Sequence, residues 1–128
     1  MKTVSADVAT AEGVARLMAA LQDMPALGGV IHGAAVLDDG VLIKQTPERF
    51  ATVMGPKADG AWRLSVAMER AGHRPDFVVF YSSLSAVFGS AGQGNYVAAN
   101  AFLDALARQR RDADRSALSV NWGAWSEV

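Results

Sequence analysis

The sequence predicts an α/β fold, a parallel sheet doubly wound with helices, on three observations. Short apolar, β-prone runs at residues 27–32, 77–81 and 118–122 alternate with longer stretches whose apolar residues recur at helical spacing. The helical stretches are long enough for the crossovers that parallel strands require, and such crossovers are right-handed. Glycine, proline and paired serines punctuate the runs. In this architecture functional residues are expected just beyond the carboxyl ends of the strands.

In chain order, Lys2-Thr3-Val4-Ser5-Ala6-Asp7-Val8 reads as the tail of a short strand entering a loop. Thr10 then caps a helix to about residue 22, with Val14, Leu17, Met18 and Leu21 at helical spacing, and Met24-Pro25 ends it. Residues 27–32, bounded by Gly28-Gly29 and Gly33, form a buried strand. Thr46-Pro47-Glu48 starts the next helix: a hydroxyl cap, then proline at the first position, where its missing amide proton costs nothing. That helix runs to about residue 71, with a disturbance at Gly55-Pro56. The strand at 77–81 closes on Ser82-Ser83, and a helix follows over about residues 95–111. Phe102, Leu103 and Leu106 are its core stripe, while Arg108, Arg110 and Arg111 with Asp112 and Asp114 form a solvated end whose cations suit the helix dipole. The last strand is 118–122. There is no internal repeat, low-complexity tract or linker, so the chain is at most one domain.

Composition narrows the function classes. The 128 residues are 51% apolar, enough for a core, and the formal net charge of −1 is spread over interspersed acids and bases. No basic face points to nucleic acid and no polybasic run to an anionic membrane. Cysteine is absent, which removes disulfides, thiol nucleophiles and cysteine-based metal sites. His32 and His73 are the only histidines, and neither has a further ligand at metal-binding spacing. The apolar runs are too short to span a bilayer, and the first residues lack a secretory layout. The expectation is a soluble, cytoplasmic chain without a metal.

Three segments fall where functional residues belong: Gly33-Ala34-Ala35 after the first strand, Ser82-Ser83 after the second, and Asn121-Trp122-Gly123 at the third. Tyr96 and Asn100 are four apart on the following helix and share one face, which can look at Ser83.

The run Phe80-Tyr81-Ser82-Ser83-Leu84-Ser85-Ala86 to Gly89, continued by Gly92-Gln93-Gly94-Asn95-Tyr96-Val97-Ala98-Ala99-Asn100-Ala101-Phe102-Leu103-Asp104, resembles the catalytic stretch of polyketide synthase ketoreductases. These are members of the short-chain dehydrogenase/reductase superfamily. Ser119-Val120-Asn121-Trp122-Gly123-Ala124-Trp125 is similar to the segment that follows it there, and the similarity extends over nearly the whole chain from Asp7 onward. The resemblance implies the second half of a Rossmann-type doubly wound sheet.

It also implies roles. Ser83 would hold a substrate carbonyl, Tyr96 would donate the proton of the new alcohol, and NADPH would supply hydride. Classical short-chain reductases place lysine four residues after the tyrosine, where this chain has Asn100. In polyketide ketoreductases lysine and asparagine exchange positions, and the lysine lies in a Pro-Lys-x-x-Gly-Ala setting that Pro56-Lys57-Ala58-Asp59-Gly60-Ala61 matches. Lys57 is therefore the candidate ammonium beside Tyr96 and the nicotinamide ribose. The chemistry needs one: a free phenol has a pKa of about 10, and a nearby cation favours the phenolate that proton donation leaves behind.

Cofactor contacts implied by the resemblance are Asp7-Val8 at the adenine, Ala34 and Ala35 where the family often has Ala-Ala-Gly, and Trp122-Gly123 beside the carboxamide. Leu37-Asp38-Asp39 resembles the fingerprint of ketoreductases that give a D-configured β-hydroxyl. Asp39, Phe88 and Gln93 are the candidate substrate and stereocontrol residues. The substrate class is a β-ketoacyl thioester on an acyl carrier protein, in polyketide or related fatty acid biosynthesis.

No Gly-x-Gly-x-x-Gly turn occurs in the sequence, although Rossmann reductases use one to bring a pyrophosphate to a helix amino end. The expectation for residues 1–128 is thus a partial ketoreductase domain, the catalytic half, lacking the glycine-rich start and the carboxyl-terminal lid. Its partners would include the missing amino-terminal part and neighbouring synthase domains. Two other readings stay open: a truncated segment without turnover, and a reductase of free small ketones.

Overall fold

The structure is a computed structural model that describes residues 2–124. Three parallel strands, β1 (Gly29–His32), β2 (Phe77–Ser83) and β3 (Leu118–Trp122), lie in that spatial order. The register pairs His32 with Phe80 and Ser83 with Trp122. β2 and β3 therefore end level, whereas β1 stops earlier and leaves Gly33-Ala34-Ala35 alongside the last residues of β2. The α/β class and the strand positions agree with the sequence.

Strand β2 alternates. Val78, Phe80 and Ser82 are buried on one face, and Phe77 and Tyr81 face outward. The buried face meets helices α3 (Gly60–Arg70) and α5 (Gly94–Asp112) in a core of Ala61, Met68, Val78, Phe80, Leu103, Leu106 and Ala107. Side chains such as Phe80 and Leu103 each contribute about 1.5–3 kcal/mol on burial.

Helix α1 (Ala11–Leu21) begins at Thr10, whose Oγ1 accepts the Gly13 N–H at 3.0 Å. Ahead of it Asp7 closes a tight turn: its Oδ1 accepts the Ala9 N–H at 2.9 Å and its carbonyl accepts the Thr10 N–H at 3.1 Å. A Cβ on Gly13 would stand 1.9 Å from the Asp7 carbonyl oxygen, so only glycine lets the turn fold back on the helix. The expected strand tail over residues 2–8 does not form. A strand needs a partner strand for its backbone groups, and among the described residues none pairs with this segment.

Helix α2 (Pro47–Met54) starts as predicted, with the Thr46 hydroxyl accepting the Arg49 N–H at 3.4 Å. The disturbance foreseen at Gly55-Pro56 is a π turn, Gly55–Asp59, inserted between α2 and α3. Pro56 has no N–H and its ring crowds the carbonyl one turn back, and widening the turn accommodates both defects. Helix α4 (Ser85–Phe88) and two positive-φ glycines, Gly89 and Gly92, lead into α5. At the far end of α5, Arg110 corrects the expectation of a solvated end. It continues the inward stripe of Leu103, Leu106 and Ala107 and is buried, with Nη1 3.8 Å from the Glu69 carboxylate.

The opposite face of the sheet carries Ile31 (61% exposed), Phe77 (48%) and Leu118 (54%), and the outer edge of β1 has no partner strand among the described residues. An apolar face beside an open edge favours self-association. The isolated chain is expected to oligomerise or aggregate in light scattering, and a monodisperse monomer would contradict this.

His32 ties β1 to the π turn, its Nε2–H donating to the Lys57 carbonyl at 2.9 Å and its ring edge-on to Phe80. Burial, the largest influence, holds its pKa below the ordinary 6.5. Between the depressed value and 6.5 the unfolded chain binds a proton that the folded chain does not. Stability therefore falls as pH drops through that window and is independent of His32 above it. Urea titrations of a domain that includes this segment should show this acid loss, and His32→Gln should lessen it.

Candidate active site

Lys57 is a buried cation near the carboxyl ends of the strands. The π turn delivers it inward, leaving it 3% exposed. Its Nζ donates to the Tyr81 carbonyl at 2.8 Å and lies 5.2 Å from the centroid of the Tyr96 ring. No carboxylate pairs with it among the described residues. Desolvation lowers its pKa, the cost of keeping a cation out of water. An ammonium has three donors, and the Tyr81 carbonyl takes one. The remaining donors suit the hydroxyl oxygens of a ribose, so the residues present fit a nicotinamide nucleotide at this point.

Tyr96 and Asn100 share one face of α5, as their spacing predicts. Asn100 is fully buried; its Nδ2 donates to the Tyr96 carbonyl at 2.9 Å, and its Oδ1 has no partner among the described residues. Ser83 ends β2, where its Oγ accepts the Ser85 N–H at 3.1 Å. A hydroxyl used that way keeps its proton for another acceptor.

The acidic loop is bound to the start of α5. Gln93 Nε2 donates to Asp39 Oδ2 at 3.0 Å, Gly40 N to the Gly92 carbonyl at 2.7 Å, and Asn95 Nδ2 to the Asp38 carbonyl at 2.8 Å. Two predicted stereocontrol residues, Asp39 and Gln93, thus touch. Phe88, the third, stands 81% exposed on α4. Arg49 fixes the loop from the other side, its guanidinium binding the Asp38 carboxylate and donating to the Asp39 carbonyl at 2.7 Å. The Arg49 hydrogen bonds hold the Asp38 carboxyl below its ordinary range.

The predicted cofactor residues divide. Val8 packs against Gly60, where an added Cβ would be 2.9 Å from Val8 Cγ2, so the Asp7–Val8 loop adjoins the turn that carries Lys57. The Asp7 side chain is engaged in its own turn. Gly33 passes the Tyr81 ring, Ala34 is half-buried and Ala35 exposed. Trp122 packs edge-on against Tyr81 at 5.6 Å between centroids, and its carbonyl accepts the Leu84 N–H at 2.9 Å. Gly123 lies beside Leu84. Trp125 is outside the described residues.

Sequence reasoning missed Arg49 and Asn95. Asn95, fully buried, directly precedes Tyr96 and accepts its N–H at 2.8 Å through Oδ1. An asparagine in a first helical turn is ordinary, and only the fold shows that its amide reaches Asp38. Arg49 is part-buried at the start of α2, and periodicity gave no reason to select it, because its partners Asp38 and Asp39 lie in a separate loop. Among the described residues no cluster of histidine and acidic side chains could hold a metal, and no helix is long and apolar enough to cross a membrane.

The family model of the KR domain matches residues 1–127. The chain is 50% identical to the polyketide synthase GfsA of Streptomyces halstedii, over 98% of this chain and 2% of that protein. It is 47% identical to the spectinabilin polyketide synthase system protein NorB of Streptomyces orinoci, over 98% of this chain and 6% of that protein. Among solved structures it is similar to the ketoreductase from the first module of phoslactomycin biosynthesis in Streptomyces sp. HK803, with 37% identity and a TM-score of 0.85, covering 97% of this chain and 28% of that one. The first ketoreductase of the tylosin polyketide synthase gives 43% identity and a TM-score of 0.81, covering 94% and 26%. The chain thus spans a few per cent of these synthases and about a quarter of these ketoreductase structures. It belongs to the KR domain family, the ketoreductase domains of polyketide synthases.

Proposed function

We propose that this segment carries the reacting residues for NADPH-dependent reduction of a β-ketoacyl thioester, borne on an acyl carrier protein, to a D-configured β-hydroxyacyl product. The observation that carries this reading is the buried Lys57 ammonium beside the Tyr96 ring, reached by two segments far apart in sequence. Family membership and the named synthase relatives support polyketide assembly, or the related fatty acid chemistry, with neighbouring synthase domains and the rest of the ketoreductase domain as partners. The cytoplasm is the compartment we assign.

When bound, NADPH supplies the hydride that adds to the carbonyl carbon. Ser83 donates its hydroxyl proton as a hydrogen bond to the carbonyl oxygen, in the manner of an oxyanion-hole donor. Tyr96 transfers its phenolic proton to that oxygen as charge develops, and solvent restores the proton to the phenolate. Lys57 favours this transfer, since a cation held near the ring stabilises the negative charge that the departing proton leaves behind. Asn100 steadies Tyr96 from one turn away through its bond to the Tyr96 carbonyl. Asp7, Val8, Ala34, Ala35, Trp122 and Gly123 form the cofactor side of the site.

In a complete ketoreductase domain that includes this segment, Tyr96→Phe is expected to lower turnover by about a hundredfold or more. Cofactor affinity, read by nicotinamide fluorescence, should hardly change, because the phenol acts chiefly in the transition state. Near-normal turnover in that variant would overturn the assignment of the proton donor.

Stereochemistry rests on Leu37-Asp38-Asp39 and is supported by the Asp39–Gln93 bond, which keeps the carboxylate at the start of the helix that carries Tyr96. Chiral chromatography of the product is expected to show the D alcohol. A mainly L product would remove Asp39 from this role.

A further inference from the structure

Asp104 has no part in the reading above, yet it bonds the strand residue, Asn121, that stands beside the end of β2. It lies on the same face of α5 as Tyr96 and Asn100, eight residues beyond Tyr96. Its two carboxylate oxygens take two donors from β3: Ser119 Oγ to Oδ1 at 2.5 Å and Asn121 Nδ2 to Oδ2 at 2.9 Å. The same Asn121 amide nitrogen stands 3.1 Å from the Ser83 carbonyl and 3.3 Å from Ser82 Oγ. The Ser82 hydroxyl in turn donates to the Asn100 carbonyl at 3.2 Å.

An amide NH2 has two hydrogens, and three acceptors lie within reach of this one. Which acceptors it serves depends on how its plane is turned, and Asp104 together with Ser119 sets that plane. Resting on the reading of Ser83 and Tyr96 as the reacting pair, we propose that Asp104 is a positioning residue, acting through Asn121 to hold the carboxyl end of β2 against α5 and so set Ser83 relative to Tyr96. The Ser82 bond to Asn100 closes the same circuit from the other side. Backbone ladders alone do not provide this tie. β2 and β3 bond to each other along their edges, whereas the Asp104 bonds cross from the helix to the sheet, the Asn121 one level with Ser82, the residue before Ser83. A displacement near 1 Å at such a site costs as much as about a hundredfold in rate.

The test is a double-mutant cycle in a complete ketoreductase domain that includes this segment. Asp104→Ala is expected to lower kcat by about tenfold to a hundredfold with little change in KM or in nicotinamide affinity. Asp104→Asn should keep activity within a few-fold, because the Ser119 hydroxyl can reverse from donor to acceptor. In a Ser83→Ala background the Asp104→Ala effect should vanish, since a residue acting through Ser83 has nothing left to position. An Asp104→Ala loss that multiplies unchanged onto Ser83→Ala overturns the proposal and assigns Asp104 to stability alone. Near-normal turnover of Ser83→Ala by itself would instead sink the reading of the reacting pair. If Asp104→Ala does not fold, Asn121→Ala enters the same cycle, and failure of both to fold also assigns the network to folding and overturns the proposal.

Discussion

A lysine ammonium taken out of water must find acceptors, and the geometry around Lys57 follows from that requirement. Leaving such a charge unpaired costs far more than any single packing contact returns. The chain meets part of the demand with the Tyr81 carbonyl and the electron-rich face near Tyr96. Only a widened helical turn brings Lys57 to that position, and the turn exists because Pro56 forbids the regular one. Its backbone is then held by His32, so the end of β1 and the turn that carries Lys57 are a single hydrogen-bonded unit. Gly60 allows Val8 to close against the same turn. A sheet edge and an amino-terminal loop thereby meet at the one helix defect that carries the buried charge.

A second constraint works from the opposite side of the site. Helix α5 begins at Gln93 with no side-chain cap, although its first N–H groups need partners. Gln93 gives its amide to Asp39 instead, and Asn95 spends its own on the Asp38 carbonyl. The Asn95 Oδ1 serves one first-turn N–H, that of Tyr96, while the amide groups of Gln93 and Asn95 tie the helix start to a loop more than fifty residues earlier. Arg49 makes the arrangement durable, because a planar guanidinium with several donors can engage a carboxylate and two carbonyls at once.

Legibility in the sequence followed the range of the physics involved. The strands, the Thr10 and Thr46 caps and the disturbance at Pro56 depend on neighbours within a few residues, and all were visible there. Tyr96 and Asn100 were paired by helical spacing alone. The pairing of Asp39 with Gln93, the reach of Arg49 and the tie from Asn95 to Asp38 depend on the fold and were invisible to periodicity. The opening residues misled for a related reason. Val4 and Val8 have strand-like character, but a strand is a relation between two segments, and no second strand pairs with them among the described residues. Arg110 misled because charge was read as exposure. Its position in the stripe with Leu103, Leu106 and Ala107 carried the better signal, and its long apolar stem fits a buried site.

The distribution of polar groups through the sheet sharpens this contrast. Ser82 and Ser83 are adjacent and chemically identical, yet the pleat sends their side chains to opposite faces. Ser82 is buried under α5, where its hydroxyl bonds the Asn100 carbonyl, and among the described residues the Ser83 hydroxyl serves as an acceptor, for the Ser85 N–H. A strand end with one serine would have to choose between fastening the helix and presenting a donor. Two consecutive serines divide those tasks through the period-two geometry of the strand alone. The same division recurs one strand over, where Asn121 bonds inward and Trp122 lies outward against Tyr81. Register between β2 and β3 places both pairs level, Ser82 with Asn121 and Ser83 with Trp122. A one-residue slip would exchange the faces and disconnect fastening from presentation at both strands together. The buried polar circuit is therefore a register lock, and it fixes the one alignment in which Ser83 and Trp122 stand level on the outward face.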